Sequence, residues 1–163
     1  MILQYFKKKE NKEQMIAIEQ YKKILAESNM FLNENNFFKI KNYNISFEIV
    51  SIFLIMFIHK NLLENNRKLY LKVNDELLSL FISDLDESLR EKGIGDMSIG
   101  KYVKSYVKKF YFRISKFPDK NNLHKNESFI EYLKSIDLIK NDDYINVSRK
   151  LNDKFSEFIN SSN

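Results

Sequence analysis

Apolar residues recur at helical spacing through most of this chain, and the spacing changes character from one segment to the next. Residues 12–28 carry Met15, Ile18, Tyr21, Ile24 and Leu25 on one face, which predicts a first amphipathic helix ending at Asn29. Residues 30–43 lose the period. Phe31, Phe37, Phe38 and Tyr43 stand among asparagines there, as expected of a connecting segment pinned to a core by its rings. Residues 45–63, ISFEIVSIFLIMFIHKNLL, are apolar on every side. A helix with no polar face is buried in a core or in a membrane. The uninterrupted run Ile52 to Ile58 is seven residues, against the roughly 20 that a span needs, and Glu48 and Ser51 interrupt its approach. A central buried helix is therefore expected, capped by Asn44 or Ser46.

Residues 67–92 return to an amphipathic pattern, with Tyr70, Val73, Leu77, Leu80, Phe81, Leu85 and Leu89 on one side. Asp84 falls on or beside that side and so requires a partner. Asp86 and Arg90 stand at i and i+4, the spacing of a surface ion pair. Gly93-Ile94-Gly95-Asp96 ends the helix, with Gly93 expected in the left-handed conformation. Asp96 or Ser98 then caps a helix over 98–116, whose stripe is Val103, Val107, Phe110, Ile114 and Phe117. Lys101, Lys104 and Lys108 line another side, and Pro118 closes the segment. Two further helices are predicted over 127–138 and 146–160. The result is an all-α, single-domain bundle of about six helices spanning residues 1–163. Two long helices meet at the Gly-x-Gly-Asp corner, and residues 1–11 and 161–163 are expected to be loose.

Composition supports this reading and narrows the chemistry. With 44% hydrophobic and 30% charged residues the chain is globular. One proline and three glycines are too few for the tight turns of an all-β fold. Cysteine is absent, which removes disulfides, thiolate nucleophiles and Cys-held metals. His59 and His124 are the two histidines, and neither belongs to a metal-binding or nucleophile-activating arrangement. Asp84 and Asp86 project about 200° apart on a helix and form no local carboxylate pair. Neither an enzyme nor a cofactor is expected. The glycine cluster has the spacing of neither a dinucleotide nor a phosphate loop, and Asp96 places negative charge where a phosphate would sit. A tight helix–helix corner is the better reading, with Gly100 allowing close packing of the second helix.

Net charge is +5, carried mostly by lysine. Lysine and asparagine abundance fits a compositional bias, and lysine lacks the fork that reads phosphate or bases in bidentate fashion. Residues 99–125 nonetheless hold eight basic residues and one acid, Asp119, interleaved with Tyr102, Tyr106, Tyr111 and Phe112. That mixture suits RNA, ribosomal RNA or an anionic lipid surface. A basic RNA- or ribosome-associated binding module is accordingly a second reading of the chain, whereas no motif for DNA recognition is present. The start, MILQYFKKKENKEQ, has no apolar core of a secretory signal and carries acidic residues unlike a mitochondrial presequence. Its Lys7, Lys8 and Lys9 could touch an anionic membrane.

The stretch from Asp84 to Arg113 resembles the hallmark of the ubiquinol-cytochrome c chaperone family, the assembly factors of the cytochrome bc1 complex. That hallmark runs D-x-D-x-x-LRE-x-GVGD-x-x-VGK-x-VK, followed by an aromatic pair and an arginine. The chain shows Asp84, Asp86, Leu89-Arg90-Glu91, Gly93-Ile94-Gly95-Asp96, Ile99-Gly100-Lys101, Val103-Lys104, Phe110-Tyr111 and Arg113. Weaker similarity extends over residues 1–117. The family's glycine before the arginine is Phe112 here, its histidine in the apolar helix is Phe53, and its proline- and glycine-containing loop is Lys39 to Asn44.

The resemblance implies an all-α, non-enzymatic chaperone that binds newly made cytochrome b or another bc1 component. A second assembly factor and the ribosome are further implied partners. The implied location is the bacterial cytoplasm, peripheral on the cytoplasmic face of the inner membrane. Asp84, Arg90, Gly93, Gly95, Asp96, Gly100, Lys101, Lys104, Tyr111 and Arg113 become the candidates for partner binding or for fixing the corner. An ion pair between Asp84 and Arg113 is expected across the two helices, and Lys101 is placed to meet an acid or a lipid phosphate.

Overall fold

The computed structural model describes residues 11–34, 36–118, 122–136 and 139–160. The terminal segments expected to be loose, Lys7 to Lys9 among them, lie outside the described residues apart from Asn11. Among the described residues the chain forms six α-helices: α1 (Lys12–Glu34), α2 (Tyr43–Leu62), α3 (Arg67–Glu91), α4 (Asp96–Lys116), α5 (Glu127–Ser135) and α6 (Tyr144–Asn160). Two short 3-10 turns, Leu123–Lys125 and Lys140–Asp142, precede α5 and α6. The architecture is all-α, as the periodicity predicts.

The apolar helix α2 is the axis of the fold. Ile45, Ile52, Phe53, Leu54 and Met56 are fully enclosed, and α1, α3, α4 and α6 all pack on it. Its length and composition would suffice to cross a membrane, but its neighbours bury most of it, so it is the core of the bundle. Its cap is Asn42, whose Oδ1 accepts from Ile45 N at 3.1 Å. The expected caps are otherwise engaged: Asn44 Oδ1 accepts from the Tyr106 hydroxyl, and Ser46 Oγ donates to Asn42 O.

Helix α1 runs past Asn29 to Glu34. Burial of Phe31 and Leu32 outweighs the weak helix preference of asparagine, and Asn29 Oδ1 simply accepts from Asn33 Nδ2 at 3.0 Å. The connection to α2 is pinned as its rings suggest. Phe31 and Phe38 are buried, Phe31 meets Phe53 edge-on at 5.8 Å, and Phe38 bridges to Ile139. Where α1, α2 and α3 meet, Gln20 and Asn61 exchange hydrogen bonds of 2.9 and 2.8 Å. Asn61 Nδ2 also donates to Asn74 Oδ1 at 2.7 Å. This buried amide set satisfies Asn61 inside an otherwise apolar interface and fixes the register of the three helices.

Candidate functional site

The corner between α3 and α4 is built by backbone chemistry. Gly93 has φ +85°, a conformation that penalises any side chain. Its N–H donates to Arg90 O at 2.8 Å and that of Ile94 to Leu89 O at 3.1 Å, the paired bonds of a Schellman ending. Gly95 has ordinary extended geometry and is itself the N-cap of α4. Neither Asp96 nor Ser98 caps that helix. Ser98 Oγ donates to Gly95 O, and Asp96 turns to Arg90. Arg90 donates from Nε to Asp86 at 2.5 Å and from its fork to Asp96, so one guanidinium ties the end of α3 to the start of α4. These two hydrogen bonds raise the Arg90 pKa. Gly100 does not serve close packing: a Cβ built there meets nothing within 4 Å.

The expected Asp84–Arg113 pair does not form. The two side chains take different partners because they lie at different depths and face different helices. Asp84 sits at the exposed edge of α3 and accepts from the Tyr21 hydroxyl of α1 at 2.9 Å. Arg113 turns inward to Glu48 of α2, donating from Nε to Oε2 at 2.8 Å and from its second fork nitrogen to Oε1. Tyr132 of α5, buried beside them, donates to the same Oε2 at 2.7 Å. A bidentate ion pair with a phenol thus joins α2, α4 and α5. Burial alone would lower the Arg113 pKa, but the hydrogen bond and charge of Glu48 raise it. Burial, then the Glu48 charge, push the Tyr132 phenol well above its ordinary value. Burial and Asp84 do the same for Tyr21.

The sequence reading overlooked Glu48 and Tyr132 as members of this cluster. The available signal was Glu48 itself, the single acid in an apolar helix, which demands a buried cation.

Beside the corner lies an open cleft of about 330 Å³, lined by Asn42, Tyr43, Asn44, Leu89, Lys92, Ile94, Tyr102 and Tyr106. Three tyrosines dominate it. Lys92 Nζ stands 4.3 Å from the centre of the Tyr43 ring, Tyr43 meets Tyr106 edge-on at 5.6 Å, and the Tyr43 hydroxyl reaches Ser88 Oγ at 2.9 Å. Of the sequence candidates, Arg90, Gly93, Gly95 and Asp96 gather at the corner. Lys101, Lys104 and Tyr111 are exposed on the outer side of α4, while Arg113 faces the interior. His59 lies edge-on to Phe117 and Phe155 at the margin of the core.

The described residues thus form a helical bundle with a solvent-open aromatic cleft and a structural ion pair. Residues 40–120, which contain the cleft, the corner and both members of the ion pair, match the family model of the ubiquinol-cytochrome C chaperone. The chain belongs to that family. No curated protein sequence matches it. In structure it is similar to the crystal structure of the Cbp3 homolog from Brucella abortus. The TM-score is 0.69 at 22% identity, over 98% of this chain and 88% of that one, which is a likeness of fold.

Proposed function

We propose that this protein is an assembly chaperone of the cytochrome bc1 complex that holds newly made cytochrome b at the cytoplasmic face of the inner membrane until the subunit is passed on. The observation that carries this reading is the family match over residues 40–120, because that segment supplies the cleft and both elements that hold it open. A chaperone in membrane-complex assembly and a non-catalytic protein both follow from the family. The client segment is placed in the cleft beside the corner, where Tyr102, Tyr106, Leu89 and Ile94 offer apolar surface and Asn42 and Asn44 offer hydrogen bonds. Arg90, Asp96 and Gly93 keep the cleft wall in shape, and Arg113 keeps α4 seated on the core. A second assembly factor and the ribosome belong to the same reading as further partners.

Co-purification from growing cells tests it. A tagged chain should recover cytochrome b, and Ile94→Asp should reduce that recovery severalfold while leaving the melting temperature unchanged. Recovery of no bc1 component would count decisively against the client reading.

A further inference from the structure

The outer face of α4 has a composition that neither the corner nor the cleft explains. After Asp96 the helix carries Lys101, Lys104, Lys108, Lys109, Arg113 and Lys116 and no acid. Arg113 is spent internally on Glu48. The exposed cations of the helix, Lys101, Lys104, Lys108 and Lys109, are therefore all lysines. Lys101, Lys104, Lys108 and Tyr111 repeat at three and four residues and form one stripe, the side opposite to buried Ile99 and Phe110. Large apolar side chains stand in the same stripe. Met97 is wholly exposed, Tyr111 is 56% exposed and Phe112 is 50% exposed. Lys116 Nζ lies 5.5 Å from the centre of the Phe112 ring, so positive charge stands beside the exposed ring.

We infer that the outer face of α4 is a docking surface for an anionic phospholipid bilayer, lying parallel to it with the lysines among the headgroups and Met97 and Phe112 at the acyl boundary. This extends the membrane placement proposed above but does not depend on which client is held. Three features favour lipid over RNA. The stripe mixes lysine with side chains that gain by leaving water, and a phosphate backbone offers Met97 nothing equivalent. The exposed cations are lysines, whose aliphatic stems lie along an apolar layer while the ammonium groups stay wet. The stripe that bears them lies opposite the buried side of α4 and none of its lysines lines the cleft, so it offers no channel for a strand and fits a plane. From Met97 to Phe112 the contact is about 22 Å long at the helical rise.

The chain contains no tryptophan, which makes a direct test available. The full-length Phe112→Trp variant is mixed with phosphatidylcholine vesicles, with or without phosphatidylglycerol, in which the acyl chains carry bromine. Blue-shifted, quenched emission with the anionic vesicles alone, weakened by salt, is the expected result. Replacing Lys101, Lys104 and Lys108 by alanine should lower the partition coefficient about a hundredfold, about fivefold per lysine. Phe112→Ser in the natural background should weaken sedimentation with anionic vesicles while keeping the salt dependence. Circular dichroism of each exposed-face variant verifies that the helices are intact. No quenching with anionic vesicles overturns the proposal, as does undiminished binding by the triple alanine variant. Tighter binding of poly(U) than of anionic vesicles also overturns it and restores the RNA reading. Cytochrome b recovery is scored separately, so failure on vesicles and failure of the client reading are distinguishable.

Discussion

Glu48 shows how much a single side chain can organise. It is the one acid of α2, it is 8% exposed, and both of its carboxylate oxygens are engaged. Removing one partner of such a pair leaves the other charge uncompensated in a low-dielectric site. Glu48→Gln and Arg113→Ala are each expected to lower unfolding stability by about 3 kcal/mol, measured by urea denaturation. The double replacement Glu48→Leu with Arg113→Met should recover most of that loss, because it removes both charges and keeps the volume. Additive losses would show that the two side chains do not act as a pair. Two buried phenols set an alkaline limit. Tyr132 and Tyr21 have folded-state pKa values raised above the ordinary 10.0 by burial and by Glu48 and Asp84 respectively. Above that pH the unfolded chain releases phenolic protons that the folded chain retains. Their contribution is therefore fully present below pH 10 and falls as the pH rises beyond it. Urea midpoints measured from neutral pH into this range should drop less steeply for Tyr132→Phe than for the natural chain.

At the scale of elements, the α3–α4 corner separates glycines that look equivalent in sequence. Gly93 alone has a positive φ and alone needs to be glycine for conformational reasons. Gly93→Ala should cost about 1 kcal/mol or more of stability. Gly100 lies inside α4 with open space at its missing Cβ, so Gly100→Ala should raise stability by about 0.5–1 kcal/mol. Thermal melts of the two variants should move in opposite directions. If Gly100→Ala keeps its stability yet loses cytochrome b recovery, that glycine serves a partner's approach. The Arg90 bonds to Asp86 and Asp96 are exposed, so their part is to orient the corner more than to hold the fold.

For the whole molecule, α2 is the element around which the others are arranged, and α4 lies on one side of it. The inner side of α4 contributes Arg113 to the core, its start borders the tyrosine cleft, and its outer side presents lysines and exposed rings. Client holding and membrane contact can thus be served by two surfaces of one helix. Ile94→Asp should affect cytochrome b recovery and spare vesicle binding, whereas the triple lysine variant should do the reverse. A loss of both functions by either variant would show that the two surfaces are not independent.

The sequence by itself determined the helical class, the places of the six helices, the central burial of α2 and the left-handed glycine of the corner. These are governed by apolar spacing and backbone sterics, both local properties of the chain. It also carried the family pattern. Caps and ends were less legible. Asn42 in place of Asn44 or Ser46, and α1 running on to Glu34, were settled by what each neighbouring side chain could bury or bond. The partners of Asp84 and Arg113 were decided by tertiary structure alone. Spacing within α3 and α4 shows that each needs a counterpart, but Tyr21 and Glu48 lie 63 and 65 residues away in the chain. Only the packing of α1 on α3 and of α4 on α2 brings those groups within hydrogen-bond reach, and it is the same packing that leaves one side of α4 facing outward.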